Sequence, residues 1–221
     1  ALMIKPFIVD QLFEINEELG IAFIDDVIYI DNFYKNYEKI YELLNNTPVP
    51  NWKISPNSKN FVDYYDCFFG IDNTYCSEKY VNGIMKIGGL ISQFFKEEKK
   101  ITPRSSNFNF NIFKNITHNR SNDLQHFPHI DYAYNAIIYI DKICSGGTAL
   151  YPDIERLHNT EQIDLFYDTS KINKKIIRAK PNRLAIFKGE QYHGGYIEDH
   201  NAYTGENWRI NQVMFFEEYK E

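Results

Sequence analysis

The sequence predicts a mainly β protein with helical support, an α+β arrangement. Short strands form a sandwich or jelly roll, and N-terminal helices pack on one sheet. Three observations lead there. Aromatic residues make up 16% of the 221-residue chain, as 17 Tyr and 17 Phe against only 2 Trp, and such rings favour pleated, half-buried surfaces. The apolar period is helical in the first half and alternating after Pro103. Turn residues then recur between short apolar runs, at Gly146-Gly147, Pro152, Pro181-Asn182 and Gly194-Gly195.

Taken in order, Ile21 to Ile30 reads as a strand, and Asp31 or Asn32 is placed to cap a helix whose apolar positions include Tyr37, Ile40, Tyr41 and Leu44. From about Ser77 to Lys99, the residues Val81, Ile84, Met85, Ile87, Leu90, Ile91, Phe94 and Phe95 form an apolar stripe suited to packing on a sheet. Lys96, Lys99 and Lys100 sit where the helix dipole is negative. Beyond Pro103, Phe108, Phe110 and Ile112 alternate with Asn107, Asn109 and Asn111, as in a half-buried strand. Further strands fit Ala136–Asp141, Thr148–Tyr151, Lys175–Ala179, Arg183–Lys188 and Trp208–Glu217, while 153–174 is a polar excursion. The aromatic run 61–69 reads as an edge strand, with a lid or wall near the barrel mouth as the functional alternative. No repeat or composition break divides the chain. Residues 1–221 are read as one domain, with 1–103 as strand and helix support and 104–221 as the jelly-roll core.

The balance of 30 acidic to 24 basic residues, a net charge of −6, disfavours general coating of nucleic acid, which needs many phosphates neutralised. Cys67, Cys76 and Cys144 include no Cys-x-x-Cys pair and read as reduced thiols. No apolar run reaches the roughly 20 residues of a membrane-spanning helix, and the N-terminus carries no secretory pattern. A soluble, cytoplasmic protein is expected, as a monomer or homodimer.

The chemistry concentrates in His126-Phe127-Pro128-His129-Ile130-Asp131. In an extended chain, residues i and i+2 project to one side, so His129 and Asp131 can offer an imidazole nitrogen and a carboxylate oxygen to one metal ion. A second imidazole from a distant strand, with His193 as the candidate, completes two His and one carboxylate. That set leaves open positions and suits non-haem Fe(II) and O2. By itself His-x-Asp is more often a surface or structural pair. His126 faces away from His129 in a strand, and His118, His158 and His200 lie in polar loops; His200 is the rival to His193.

The order His129-x-Asp131, then Gly146-Gly147-Thr148…Tyr151-Pro152, Arg183–Lys188, His193-Gly194-Gly195 and Trp208-Arg209 resembles the Fe(II)- and 2-oxoglutarate-dependent oxygenases. Within them it resembles the prolyl-4-hydroxylase-like branch of the double-stranded β-helix superfamily. The resemblance covers roughly residues 105–217. It implies a dioxygenase that uses Fe(II), 2-oxoglutarate as cosubstrate and O2, with His129, Asp131 and His193 as catalytic iron ligands. Such an enzyme hydroxylates an unactivated C–H bond of a small molecule or peptide, here expected to be an amino acid or peptide side chain.

For the far carboxylate of 2-oxoglutarate the resemblance implies Arg209, assisted by Tyr139. The branch carries its basic residue two positions earlier, where Asn207 stands, and Arg209 keeps the same strand parity. The branch's further tyrosine falls at Phe113, which cannot donate a hydrogen bond, so Asn111 is the substitute. Two alternatives stay open here: an oxygenase acting on a nucleobase, and a non-catalytic jelly-roll binding module.

Overall fold

The computed structural model describes residues 12–47, 53–54, 64–69, 78–104, 112–117, 128–154 and 172–221. The first departure from the sequence reading is at Ile21–Ile30. This segment is a hairpin, β1 (Gly20–Ile24) and β2 (Val27–Asp31), and not one strand. The chain reverses at Asp25 and Asp26, whose φ values are 50° and 60°, a left-handed turn that Asp tolerates better than most residues and that matches strand twist.

The helix α1 (Tyr37–Asn46) buries Ile40 and Leu44 as expected, but it begins after Asn36 with no side-chain cap. Asp31 is used elsewhere. It ends β2, and its carboxylate accepts two hydrogen bonds from Arg183, from Nε at 2.6 Å and Nη2 at 3.1 Å. Asn32 takes a φ of 54°, in the turn that leaves the strand.

There follow β3 (Lys53–Ile54), β4 (Tyr64–Phe69), the long helix α2 (Glu78–Phe95), β5 (Ile101–Pro103), β6 (Ile112–Thr117), β7 (Tyr134–Tyr139), β8 (Gly147–Leu150), β9 (Lys175–Arg178), β10 (Arg183–Lys188), β11 (His193–Tyr196) and β12 (Arg209–Glu218). Residues 107–111 of the predicted alternating run lie outside the described residues. The main sheet runs β1-β2-β10-β7-β12-β6-β4-β3, with β5 also on β12, and a second sheet runs β11-β8-β9. Every pairing among the described strands is antiparallel. Strands from both sides of residue 103 therefore share the main sheet, and the curled pair of sheets is a jelly roll with helices on one face.

Alternation along three central strands explains that packing. Ala136 and Ile138 of β7, Leu184 and Ile186 of β10, and Ile210, Met214 and Phe216 of β12 face the helices. There they pack with Ile40 and Leu44 of α1 and Ile84, Ile87 and Ile91 of α2. Tyr139, Ala185 and Phe187 face the other way, into the space between the sheets, and meet Leu150 of β8 and Ile177 of β9. Each large aliphatic side chain buried in this way contributes about 1.5–3 kcal/mol.

One polar residue sits among the helix-facing set. Gln212 Oε1 accepts the Tyr34 hydroxyl at 2.5 Å, and its Nε2 donates to Tyr80 OH at 3.3 Å. Asn182 holds the Tyr34 backbone from both directions, each bond 2.8 Å. Together these bonds tie the segment before α1, the start of α2 and β12 into one unit, with every member satisfied.

The Arg183 hydrogen bonds, helped by Lys180, hold the Asp31 carboxyl below the usual carboxylate range despite its partial burial. A depressed native pKa stabilises the fold above the unfolded value of about 3.9, and the effect is lost as pH falls through the native value. Since Asp31 is about a third exposed, the contribution is discounted to about 1 kcal/mol. Asp31→Asn should cost that much in urea unfolding at neutral pH, with the deficit shrinking below about pH 4. A deficit independent of pH would contradict this account.

Candidate metal centre

His129 and Asp131 lie on the segment that leads into β7, and His193 opens β11. Backbone hydrogen bonds bring these distant pieces together. His129 N donates to His193 O and His193 N donates to His129 O, both at 2.9 Å, forming an isolated antiparallel bridge. Two residues on, Asp131 N donates to Gly189 O at 2.9 Å, and Gly189 N donates to Ala133 O at 2.9 Å. His129 and Asp131 are thus held extended, with their side chains on one side as their spacing requires.

The donor atoms of His129, Asp131 and His193 all lie within 4.8 Å of one another. Asp131 Oδ2 is 3.1 Å from His193 Nε2 and 3.4 Å from His129 Nε2. Phe187 packs edge-on against the His193 ring, with centroids 4.9 Å apart. His193 is buried, while the His129 side chain is 49% exposed, so the site opens on the His129 side.

His193 Nδ1 stands 2.7 Å from Gln191 O. An N–H there donates to the carbonyl, which leaves the Nε2 lone pair aimed at Asp131. Burial raises the Asp131 pKa, yet the neighbouring His129 and His193 rings and the Asn135 N–H outweigh it and hold the carboxyl well below its usual range. Two imidazoles and one carboxylate bring their donor atoms together at one point, which is the donor chemistry a divalent cation satisfies. The residues fit Fe(II).

Further along the same inner wall, Arg209 Nη2 donates to Gly147 O at 3.1 Å. With its amide turned to suit the guanidinium, Asn211 Oδ1 accepts from Arg209 Nη1 at 2.7 Å and Nη2 at 3.3 Å. Among the described residues no carboxylate lies within ion-pair reach of Arg209. Tyr139 neighbours Asn211 in the β7–β12 register, and its hydroxyl is 2.7 Å from Thr148 Oγ1. Burial pushes the Tyr139 pKa up to about 12, against the pull of Thr148 and Arg209, so the phenol keeps its proton. Asp141, buried behind this end, accepts from Cys144 N at 2.8 Å, Tyr203 OH at 2.8 Å and Ile210 N at 3.3 Å. It thereby anchors the residue next to Arg209. Cys144 is a free thiol whose pKa burial pushes up.

The structure thus gathers His129, Asp131 and His193 at one place and Arg209 with Tyr139 at another. Asn111, His118, His126 and His158 lie outside the described residues, and Phe113 is placed on β6 opposite Asn211. His200 falls in a short 3-10 turn, His200–Tyr203. Sequence reasoning missed Asn135, Gly189, Asn211 and Thr148. A signal existed for Asn211 in its spacing from Arg209 on one strand face, and for Asn135 as the polar position of an otherwise apolar strand.

Asn135 is 2% exposed, and its Nδ2 lies 3.0 Å from Asp131 Oδ2 and 2.9 Å from His193 Nε2. Gly189 is required by close approach. A Cβ there would stand 1.9 Å from Tyr132 O and 2.7 Å from Asn135 Oδ1.

No protein-family profile and no curated protein sequence matches the chain. Solved structures do. HygX from Streptomyces hygroscopicus, a structure with nickel and 2-oxoglutarate bound, aligns with 99% of this chain and 88% of its own, at 9% identity and a TM-score of 0.52. The chain has the fold of the 2-oxoglutarate-Fe(II) oxygenases. SnoN, a non-haem α-ketoglutarate-dependent epimerase from nogalamycin biosynthesis, aligns with 88% of this chain and 77% of its own, at 9% identity and a TM-score of 0.50. A prolyl-4-hydroxylase from Pseudomonas putida aligns with 88% of this chain and 94% of its own, at 10% identity and a TM-score of 0.47. The double-stranded β-helix expected from the ordered motifs is the fold observed.

Gly189→Ala should destabilise the protein by about 1–3 kcal/mol, the usual result of overpacking, because Tyr132 O and the Asn135 amide must both move. Urea unfolding reads this directly. A variant as stable as the parent would show that the contact around Gly189 is loose.

Proposed function

We propose that the protein is an Fe(II)- and 2-oxoglutarate-dependent dioxygenase that hydroxylates an unactivated C–H bond, with His129, Asp131 and His193 as the metal ligands. The observation that carries the proposal is the convergence of those three donors within 4.8 Å on a fold also found with nickel and 2-oxoglutarate bound.

When bound, the metal and cosubstrate supply O2 activation coupled to decarboxylation of 2-oxoglutarate. The chain's residues set the conditions. His129 and His193 would contribute nitrogen donors and Asp131 one negative charge, a three-residue set that would leave room on the ion for cosubstrate and O2. Gln191 O fixes the His193 tautomer through Nδ1, an orienting contact of the kind metal-bound histidines use. Because Asp131 occupies the place a halide would need, hydroxylation is the proposed outcome; SnoN, an epimerase on the same fold, shows that the fold alone does not dictate it.

Arg209 is the proposed partner for the far carboxylate of 2-oxoglutarate. A guanidinium offers the paired donors that a carboxylate accepts, and among the described residues no carboxylate lies within ion-pair distance of Arg209. Tyr139 keeps its proton and can donate beside it. The apolar lining of Val27, Leu150, Ile177, Ala185 and Phe187 excludes water from the space between the sheets. An amino acid or peptide side chain is the proposed substrate class, on the resemblance to the prolyl-4-hydroxylase-like branch, and the net charge of −6 weighs against a nucleic acid.

Anaerobic titration of the protein with Fe(II) and 2-oxoglutarate should produce the weak visible charge-transfer band of the chelate. His129→Ala should abolish it. Arg209→Ala should weaken 2-oxoglutarate by about tenfold or more, the worth of a charged hydrogen bond, with Fe(II) affinity little changed. A folded parent protein that shows no band would overturn the proposal.

A further inference from the structure

We propose that Asn135 is a positioning residue of the metal centre, whose carboxamide N–H groups hold Asp131 and His193 in the arrangement that receives the ion. The inference rests on the proposed metal-ligand role of His129, Asp131 and His193.

The argument begins with the two ends of one side chain. Asn135 Nδ2 carries two hydrogens and stands 3.0 Å from Asp131 Oδ2 and 2.9 Å from His193 Nε2, the donor atoms of two ligand residues. Its other end is unsatisfied: Asn135 Oδ1 is buried and has no hydrogen-bond partner among the described residues. Leaving an acceptor buried without a partner is unfavourable, so this orientation persists for what the NH2 end does. Turning the amide over would set Oδ1 against a carboxylate oxygen and an imidazole lone pair, three acceptors together. The site therefore selects the N–H end.

The surroundings hold the side chain in place. Asn135 lies in β7 between β10 and β12, in register with Phe187 on one side and Phe215 on the other. Phe187 in turn packs edge-on against His193. Gly189, whose backbone carbonyl accepts from Asp131 N, has no side chain where the Asn135 amide lies. A rigid central strand thus supports a ligand segment that is itself only partly buried, an arrangement that keeps ligand geometry within the tolerance a metal needs.

The two N–H groups have different fates when an ion enters. The His193 Nε2 lone pair passes to the metal, so the Asn135 hydrogen bond to it is given up. The hydrogen bond to Asp131 remains compatible with a bound ion, because a carboxylate oxygen has more than one lone pair. Asn135 therefore holds both ligands before loading and restrains the carboxylate afterwards.

Asn135→Val keeps a strand-compatible side chain of similar size and removes both donors. Visible titration with Co(II) should show affinity about 10- to 100-fold weaker than for the parent protein, the usual effect of losing an outer-shell partner, while thermal unfolding of the metal-free variant stays close to the parent. Lost stability with Co(II) affinity within about twofold of the parent would mean a merely structural role and would overturn the inference. Should the variant not fold, the parent protein decides. The side-chain amide signals of Asn135 should shift on saturation with Zn(II) in 15N-edited NMR, and signals that stay in place would overturn it. A parent protein that binds neither Co(II) nor Zn(II) removes the metal-centre reading itself, and this inference with it.

Discussion

Three adjacent strands, β10, β7 and β12, are covered on both faces, and nearly everything else in the molecule follows from that. A strand alternates its side chains between faces, so each residue here serves either the helix-packed core or the inner wall of the jelly roll. Ala136, Ile138, Leu184, Ile186, Ile210 and Met214 serve the first. Asn135, Tyr139, Phe187, Arg209 and Asn211 serve the second. A slip of one residue in any of the three would exchange the two sets and lose core and site together. The Gln212 network with Tyr34 and Tyr80 opposes such a slip, because a buried amide finds its partners in only one register.

On the inner wall, the polar groups form two centres of opposite electrostatic character. At one end, Asp131 and the imidazoles of His129 and His193 present lone pairs to a common point and call for a cation. At the other end, Arg209 is hydrogen-bonded to a carbonyl and an amide oxygen, with the buried Asp141 carboxylate as an electrostatic neighbour beyond ion-pair distance. The cosubstrate proposed above, a dicarboxylic acid that chelates a metal through one end, is complementary in charge to both. Apolar side chains line the space between the sheets, and a charge in such surroundings acts at greater strength than in water.

What was legible in the sequence was what depends on local pattern. The strand Arg183–Lys188 was read to its ends because Pro181-Asn182 punctuates an apolar run, and α1 and α2 followed from their stripes. His129, Asp131 and His193 were legible from spacing, parity and the order of the surrounding motifs. The β1–β2 hairpin was not, because Asp25-Asp26 lacks the glycine that usually marks so tight a reversal. Nor was the diversion of Asp31 from helix cap to Arg183, since that choice is made by a residue 152 positions away. The roles of Gly189 and Asn135 were hidden for the same reason. One is defined by the approach of Tyr132 O and the other by contacts with two separate chain segments, and a lone polar position in an apolar strand does not say which partners it meets.

The central claim is that these three side chains hold one ion while Arg209 faces the cosubstrate. A crystal structure of the protein loaded anaerobically with Fe(II) and 2-oxoglutarate, with diffraction recorded at the iron edge, tests it most directly. The account predicts one anomalous peak with His129, Asp131 and His193 as its protein ligands at about 2.0–2.2 Å, as for comparable divalent ions, and the far carboxylate of 2-oxoglutarate on the Arg209 guanidinium. Iron bound at other residues, or a cosubstrate carboxylate held away from Arg209, would contradict it.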